Sequence, residues 1–426
     1  MHKSYDKMKD SGVKWIGEMP SEWIISTIGS LYTQRNEKVS DKDYPPLSVT
    51  KQGVLPQLET VAKTDNGDNR KLVRAGDFAI NSRSDRRGSC GIAQQDGSVS
   101  LINTVLKPRD EMHPVYYNWL FHTEQFADEF YKWGYGIVDD LWSTHWSEMK
   151  KIMVIYPPLA TQAAIAAYLD DKCATIDGII AEAKATIEEY KAWKASVIFE
   201  AVTKGLDPNV EMKDSGVEWI GQMPKGWNVC KLKWLCEKIT DGSHFSPETT
   251  DEGYPYITAS DVNGKGLDYH GAKRISHTAF EELQKSGCRP LEGDVLLVKD
   301  GATTGRVGLM ADNEPCVALS SVAILRPAKD VISCYLMYVM MSEVLQFQIR
   351  KSMAGSAMPR TTLSKLVDYV TVSCPPPEQE AIVIYLDSKC SSIDNIIAEK
   401  EALIAELETY KKSLIFETVT GKRRVC

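Results

Sequence analysis

The chain has 426 residues, a hydrophobic fraction of 43% and a formal net charge of −8. A chain of this length holds roughly two to four domains, and none of its apolar runs approaches the ~20 residues of a membrane-spanning helix. The amino terminus lacks the apolar stretch of a signal peptide and the ten cysteines include no Cys-x-x-Cys pair, so we expect a cytoplasmic protein with reduced thiols and no membrane partner.

A sixteen-residue block near the amino terminus occurs a second time in the middle of the chain. Residues 8–23 (block 1) and 212–227 (block 2) are identical at twelve of the sixteen positions, at an offset of 204. Each block leads into a globular stretch, residues 24–156 (globule 1) or 228–374 (globule 2). Each globule leads in turn into a long helical segment, so the order block, globule, helix occurs twice.

Within the globules, the pattern predicts short strands separated by glycine-rich turns. Strands are predicted at residues 44–49, 78–80, 254–258 and 294–298, and helices at residues 113–131 and 333–351. The globules are related, because Gly76-Asp77 aligns with Gly293-Asp294 at an offset of 217. The change of offset from 204 to 217 means that globule 2 has 13 more residues between Trp227 and Gly293. Two similar scaffolds with unlike surfaces suggest two different targets.

The two long helical segments, residues 158–203 and 375–420, are also near-copies, at an offset of 217. Prolines before each segment and Gly205 after the first are typical of helix starts and stops. Apolar residues recur at steps of four and three, as in Leu169, Cys173, Ile176 and Ile180, and this heptad pattern predicts a paired coiled coil. Lysines interrupt both seams at equivalent positions, and polar seam residues fix register and partner.

The two long segments carry all of the net charge. Residues 160–203 contain seven acidic residues against four lysines, and residues 378–420 contain nine against four. Their charges of −3 and −5 account for the total of −8, so the other parts are formally neutral. We therefore expect the helices to face a protein partner and leave the globules free to present a basic face to DNA.

Together these patterns predict an α+β fold with two pseudo-symmetric globular domains of twisted β-sheet, separated by two long antiparallel coiled-coil helices. The predicted parts are residues 1–23 (amino-terminal block), 24–156, 157–205 (first helix), 206–227 (second block), 228–374 and 375–426 (second helix and tail). Antiparallel helices would bring Met1 close to Cys426, so the amino-terminal block is expected to pack near the carboxy terminus. The alternative, a tandem arrangement, would leave both apolar seams unpaired.

The sequence contains no recognisable catalytic motif. It has neither a Gly-x-x-x-x-Gly-Lys-Ser/Thr phosphate loop nor His-Glu-x-x-His, and the spacing in 301–308 is wrong for a dinucleotide-binding turn. Asp294 and Lys299 are interpreted as a strand start and a loop end rather than as half of a nuclease site. His244, His270 and His277 are interpreted as surface or loop histidines. We predict no catalytic, cofactor-binding or metal-binding residue.

A polar, basic loop follows the Gly-Asp strand in both globules. Arginine makes bidentate contacts to guanine edges, and hydroxyl groups and glycine amides bind phosphate oxygens. The predicted DNA-binding residues are Ser82, Arg83, Arg86 and Arg87 in globule 1, and Lys299, Thr303, Thr304, Arg306, Arg350, Lys351 and Arg360 in globule 2. The alternative is a solvated turn. The aromatic run Trp133-Gly134-Tyr135, with Trp142 and Trp146, fits either base stacking or core packing.

The chain resembles the specificity (S) subunit of type I restriction-modification systems along essentially its whole length. The residues that carry the resemblance are the duplicated Lys-Asp-Ser-Gly-Val-x-Trp-Ile-Gly-x-Met-Pro block and the Pro-Pro-x-x-x-Gln-x-x-Ile-x-x-Tyr-Leu-Asp opening of each long segment. The resemblance implies two target-recognition domains that each read one half of a split double-stranded DNA sequence.

The resemblance also implies that the helices set the gap between the two halves and dock two methyltransferase (M) subunits. Motor-nuclease (R) subunits would join through the M complex. It implies no active site and no cofactor in this chain, since S-adenosylmethionine binds the M subunits. Two alternatives are a protein-interaction scaffold with two binding heads and a fragment of a self-contained restriction-methylation enzyme. The Asn/Asp-Pro-Pro-aromatic motif of adenine methyltransferases is missing, because Tyr44 and Tyr156 stand where it needs an amide or a carboxylate, and this argues against the fragment.

Overall fold

The computed structural model describes residues 5–57, 67–136, 142–264, 266–353 and 359–425. The chain divides into two compact units. Unit 1 comprises residues 1–183 and 401–426, and unit 2 comprises residues 184–400. Each unit therefore combines one globule with parts of both long helical segments. The predicted approach of Met1 to Cys426 concerns residues that lie outside the described part of the chain.

The strands are short, as the glycine-rich turns predict. In block 1 and globule 1 they are β1 (Met8–Asp10), β2 (Glu18–Pro20), β3 (Ile24–Thr27), β4 (Tyr32–Arg35), β5 (Lys38–Val39), β6 (Leu47–Thr50), β7 (Gly53–Pro56), β8 (Arg70–Val73), β9 (Phe78–Asn81), β10 (Cys90–Ile92), β11 (Gly97–Val99), β12 (Asn103–Pro108) and β13 (Met153–Tyr156).

Block 2 and globule 2 contain the remaining strands. These are β14 (Met212–Asp214), β15 (Gln222–Pro224), β16 (Asn228–Lys231), β17 (Cys236–Asp241), β18 (Thr249–Thr250), β19 (Tyr254–Ile257), β20 (Lys273–Ile275), β21 (Val295–Val298), β22 (Val307–Leu309), β23 (Val317–Ala318), β24 (Val322–Pro327) and β25 (Val370–Ser373).

Runs of strands that pair mainly antiparallel are followed by runs of helices, which confirms the predicted α+β class. The helices are α1 (Ile28–Leu31), α2 (Pro114–Phe121), α3 (Glu124–Lys132), α4 (Trp146–Met149), α5 (Leu159–Lys204), α6 (His277–Lys285), α7 (Ser333–Met341), α8 (Glu343–Met353), α9 (Leu363–Leu366) and α10 (Pro376–Val419). Short 3-10 turns lie at Ser84–Arg86 and Leu232–Trp234.

Each globule is built on a four-stranded antiparallel sheet, in the order β10-β9-β12-β4 in globule 1 and β17-β24-β21-β22 in globule 2. A second sheet accompanies it, β11-β8-β5 or β18-β20-β19-β23. Strands at the two ends of each globule pair with each other, β3 with β13 and β16 with β25. This pairing brings the start and the end of each globule together beside its long helix.

The predicted helices at residues 113–131 and 333–351 were wrong in one respect, because each is two helices. In globule 1, α2 ends before Thr123, whose hydroxyl oxygen accepts the Phe126 N–H at 3.3 Å and so starts α3. In globule 2, Ser342 separates α7 from α8 in an extended conformation. Apolar periodicity continues across both breaks, so the pattern alone did not reveal them.

The long helices α5 and α10 bury the predicted apolar seam. In unit 1, Leu169, Cys173 and Leu414 belong to one buried cluster, and in unit 2 Val197, Leu386 and Cys390 belong to another. Both helices end at a glycine with positive φ, Gly205 at +72° and Gly421 at +74°, where an L side chain would be strained.

Contacts within each unit show that the helices are antiparallel. In unit 1, the Lys411 ammonium lies 2.6 Å from Asp177, while Arg423, just beyond the end of α10, hydrogen-bonds Tyr168, nearer the start of α5. In unit 2, Lys194 lies 2.7 Å from Asp394. Residues nearer the end of α5 and the start of α10, Lys204 and Ile382, line a common cavity.

The two blocks form similar hairpins, β1-β2 and β14-β15, and each contacts a helix end in its own unit. The Lys422 ammonium donates to the Ile16 and Glu18 carbonyls at 2.6 and 3.0 Å in unit 1. In unit 2, the Trp227 indole donates to Glu378 at 2.8 Å. Among the described helices, none combines the length and the apolar composition needed to cross a lipid bilayer.

Candidate nucleic-acid interface

Both basic loops begin after a buried strand whose start is held by an ion pair between a buried aspartate and a half-buried arginine. Asp77 precedes β9 and accepts from Arg35 at 2.5 and 3.2 Å. Asp294 precedes β21 and accepts from Arg326 at 2.9 and 2.8 Å. These hydrogen bonds raise the pKa of both guanidinium groups. The arrangement fixes the base of each loop, because breaking a buried pair leaves an uncompensated charge.

In unit 1, the loop after β9 pairs with the segment before α4. Arg83 and Ser143 form an isolated antiparallel bridge. The Thr144 N–H donates to the Ser82 carbonyl, and the Ser84 N–H donates to the Trp142 carbonyl, both at 2.9 Å. The backbone of the loop is therefore held from both sides.

In unit 2, the loop after β21 has the same arrangement. Asp300 and Arg360 form the bridge, and the Thr361 N–H donates to the Lys299 carbonyl at 2.9 Å. Each of these residues lies 217 positions after its counterpart in unit 1. The two globules thus keep one backbone arrangement and differ in the side chains that it displays.

Among the predicted residues of unit 1, the arginines lie at the surface and the serine does not. Arg86 and Arg83 have side chains 68% and 35% exposed and lie 3.6 and 3.5 Å from Asp85. Arg87 pairs with Asp128 and lies over the Tyr131 ring. Ser82 is buried, and its hydroxyl donates to the Ile102 carbonyl. Arg86 is therefore the most accessible of the three guanidinium groups, and Arg83 is the least accessible.

A cavity of about 430 Å³ lies beside this loop, lined in part by Lys71, Ser82, Arg83 and His145. Burial lowers the pKa of the Lys71 ammonium, which donates to the Asn103 carbonyl at 2.7 Å. The residues of the predicted aromatic run differ in how exposed they are. Tyr135 and Trp142 are 57% and 37% exposed, whereas Trp133 and Trp146 pack against the core.

In unit 2, the predicted cations differ in how accessible they are. The Lys299 side chain is 2% exposed, and its ammonium lies 2.8 Å from Asp300 and 3.4 Å from Asp241. Arg360 is 57% exposed and pairs with Asp300 at 2.9 Å. Arg306 is exposed and donates to the Val262 carbonyl at 3.1 Å. Lys299 therefore supports the loop from inside, and the two arginines face solvent.

The remaining predicted residues fall into two groups. Thr303 and Thr304 are half-buried in the loop, and the Thr304 hydroxyl donates to the Gly301 carbonyl at 2.7 Å. Arg350 and Lys351 lie in the last turn of α8. The Gln346 amide of α8 donates to the Gly305 carbonyl of the loop at 2.8 Å.

One segment of this surface was not predicted from the sequence. Asp241, at the end of β17, pairs with His244 at 3.3 Å as well as with Lys299. This places Phe245, an exposed aromatic residue, in a segment joined to the candidate loop. Its only sequence signal was an aromatic residue among polar neighbours in the region where globule 2 is longer. The described residues contain no group of three or more metal-ligating side chains suited to a metal ion.

Comparison with known proteins supports the resemblance. Residues 224–409 match the family model of the type I restriction modification DNA specificity domain. The specificity subunit of type I restriction enzyme MjaVIII from Methanocaldococcus jannaschii is 26% identical over 283 residues, covering 65% of this chain and 63% of the relative. The EcoBI specificity subunit from Escherichia coli is 24% identical over 283 residues, covering 62% and 57%. The matches thus span about 60% of the length of these two relatives, and they confirm the predicted resemblance.

Solved structures with the same fold cover nearly the whole chain. A chain from a study of complex assembly and conformational transition of the type I R-M system has a TM-score of 0.71 at 14% identity, covering 94% of this chain and 98% of that chain. The HsdS subunit from Thermoanaerobacter tengcongensis has a TM-score of 0.52 at 16% identity, covering 97% and 99%. At such identities the likeness concerns the fold.

Proposed function

We propose that this chain is the DNA sequence-specificity subunit of a type I restriction-modification complex, in which each globule reads one half of a gapped, two-part site. The observation that carries the proposal is the recurrence of one loop arrangement with different side chains. The bridges Arg83–Ser143 and Asp300–Arg360 occupy equivalent positions, yet one loop displays arginines and the other displays threonines and glycines.

The chemistry of both loops suits a nucleic acid. The exposed guanidinium groups of Arg86, Arg306 and Arg360, and the half-buried one of Arg83, can neutralise phosphates and bind guanine edges. Exposed aromatic residues Tyr135 and Trp142 lie next to the first loop, and aromatic faces stack on bases. Different side chains in equivalent positions would give the two halves of the site different sequences.

The helices would have two roles in this proposal. Their length of 46 and 44 residues would set the spacing between the half-sites, and their acidic surface would bind two methyltransferase subunits. Restriction-motor subunits would join through that complex. Methyl transfer to adenine and its S-adenosylmethionine would belong to the partner, and this chain would supply recognition without catalysis.

The test is to express the chain with the methyltransferase encoded beside it and to map methylated adenines across the host genome. The proposal predicts one gapped motif with two unlike halves. Replacing residues 24–156 with the equivalent domain of another specificity subunit should change one half and leave the other. A complex that forms but methylates no motif would contradict the proposal and favour a protein-interaction scaffold.

A further inference from the structure

Phe245 is the most exposed large hydrophobic residue in the described part of the chain, with 72% of its surface accessible. It follows β17, in the region where globule 2 carries 13 more residues than globule 1. Exposing an aromatic ring forgoes the stabilisation that burial would give. An isolated exposed side chain is ordinary, but this ring is held in a defined position beside the candidate loop.

The backbone that carries the ring is fixed by hydrogen bonds. The Ser243 hydroxyl donates to the Phe245 carbonyl at 2.6 Å and accepts the Phe245 N–H at 3.0 Å. The Ser243 N–H donates to the Ala318 carbonyl at 2.7 Å, and the Tyr256 hydroxyl donates to the Phe245 carbonyl at 3.2 Å. The ring is therefore displayed by a well-anchored segment.

Sheet topology places this segment at the same edge as the candidate loop. Strands β17 and β21 both pair antiparallel with the strand between them, β24, so they run in the same direction and their ends meet at one edge. Phe245 follows the end of β17, and Lys299 follows the end of β21. The Asp241 carboxylate joins the two, since it lies 3.3 Å from His244 and 3.4 Å from Lys299.

The surroundings of the ring are charged rather than apolar. Arg306 and Arg360 are exposed near the end of β21, whereas Lys299 is buried between Asp241 and Asp300. The other exposed large hydrophobic residues described in globule 2 are Trp234 and Leu291. They precede β17 and β21, respectively, and so lie at the opposite edge of the sheet. A single exposed ring at an edge that also carries two exposed arginines suits a nucleobase beside its phosphates better than an apolar protein surface.

We propose that Phe245 stacks on a base in the half-site that globule 2 reads. This inference rests on the proposed function and adds a specificity-determining residue to it. An aromatic wedge at a flexible step partly unstacks the base pairs, and neighbouring arginines hold the adjacent phosphates. Sequence preference would then come from how easily the step deforms as well as from direct base contacts.

The experiment uses the complex of the full chain with its methyltransferase and a duplex that carries the mapped site. Initial methylation rates are compared for wild type, Phe245→Leu, Phe245→Trp and the control Trp234→Leu. Phe245→Leu keeps an apolar side chain without a ring, and Trp234 is 70% exposed at the other edge. We expect a loss of about tenfold for Phe245→Leu at limiting DNA, and rates within twofold of wild type for the other two variants.

A second measurement locates the stacked base. 2-Aminopurine is placed at successive positions of both half-sites, and its fluorescence is followed as the complex binds. Wild type and Phe245→Trp should change the signal at one step in a single half-site, and Phe245→Leu should not. Wild-type rates for Phe245→Leu would overturn the inference, as would failure of that variant to join the methyltransferase, which would indicate a protein contact. If wild type itself methylates no gapped motif, the proposed function fails first.

Discussion

The Lys194 ammonium lies 2.7 Å from the Asp394 carboxylate, and the internal repeat maps this pair onto Lys411 and Asp177, which lie 2.6 Å apart. Each lysine is 217 residues from the other, and so is each aspartate. The same interhelical contact therefore occurs once in each unit, with the roles of the two helices exchanged. Because a charged seam position tolerates few alternative alignments, these pairs fix the register of α5 against α10.

The two pairs should contribute unequally to stability. Side-chain exposure is 18% and 29% for Lys194 and Asp394, but 24% and 58% for Lys411 and Asp177. We expect Lys194→Ala to lower the free energy of unfolding by roughly 1–2 kcal/mol and Lys411→Ala by less than about 1 kcal/mol, since water screens the exposed pair more. Urea denaturation measures both. The swapped variant Lys194→Asp/Asp394→Lys should recover part of the loss, and equal losses for the two alanine variants would contradict this ranking.

The Gln379 side chain should stabilise the junction between globule 2 and the start of α10. Its buried amide accepts the Ile332 N–H at 2.9 Å and donates to the Asp330 and Cys374 carbonyls at 3.1 and 3.0 Å. Gln379→Met leaves these groups without their partner, so we expect a loss of roughly 2–4 kcal/mol.

Hydrogen exchange at the Ile332 amide measures directly whether its hydrogen bond to Gln379 is intact, and this exchange should accelerate in Gln379→Met. The exposed neighbour Glu380 provides the control, since Glu380→Gln should leave this exchange unchanged. Gln162 accepts the His113 N–H at 2.9 Å in the same way. Slow exchange at Ile332 in the methionine variant would show that other contacts hold the junction.

Substitution of Lys299 should weaken the stability of the loop, whereas substitution of Arg360 should weaken contact with DNA. Lys299→Met leaves Asp241 and Asp300, 13% and 21% exposed, without their shared cation, and we expect a loss of about 2–4 kcal/mol of stability. Arg360→Ala removes an exposed group, so stability should change by less than about 1 kcal/mol. The slope of log affinity for DNA against log salt concentration should fall in magnitude by about one, the share of one phosphate contact.

Thermal unfolding and DNA titrations at several salt concentrations test this division, with both variants in complex with the methyltransferase. The reverse result, a stable Lys299→Met protein with a reduced salt slope, would place the lysine on the DNA.

Lengthening both long helices should change the gap of the methylated motif. One heptad inserted after Ala183 and another after Lys400 preserve the seam and both interhelical ion pairs. Seven residues add about 10 Å of helix, which corresponds to about three base pairs at 3.4 Å each. Methylation mapping should show a longer gap with both halves unchanged. Altered bases in either half would exclude a pure spacing role.

The internal repeats made the architecture predictable from the sequence. The candidate site was harder to predict, because it depends on interactions between residues that are distant in the sequence. Heptad spacing predicted α5 and α10 to within one or two residues, because a seam such as Leu169, Cys173 and Ile176 depends only on local periodicity. The burial of Lys299 was not predictable, since its partner Asp241 lies 58 positions away on another strand. Phe245 was missed for the same reason: only the sheet brings the ends of β17 and β21 to one edge.

The ion pairs at the two loop bases take their arginines from strands that are not equivalent. Asp77 takes its arginine from β4, earlier in the chain, whereas Asp294 takes its arginine from β24, later in the chain. A hybrid gene that joined the first part of globule 2 to the second part of globule 1 at this aspartate would inherit neither arginine, and a carboxylate only 2% exposed would be left without a countercharge, at a cost of about 3–5 kcal/mol. The opposite hybrid would carry both arginines. Recombination between the two copies is therefore asymmetric, and whole domains are the units that can be shuffled without loss.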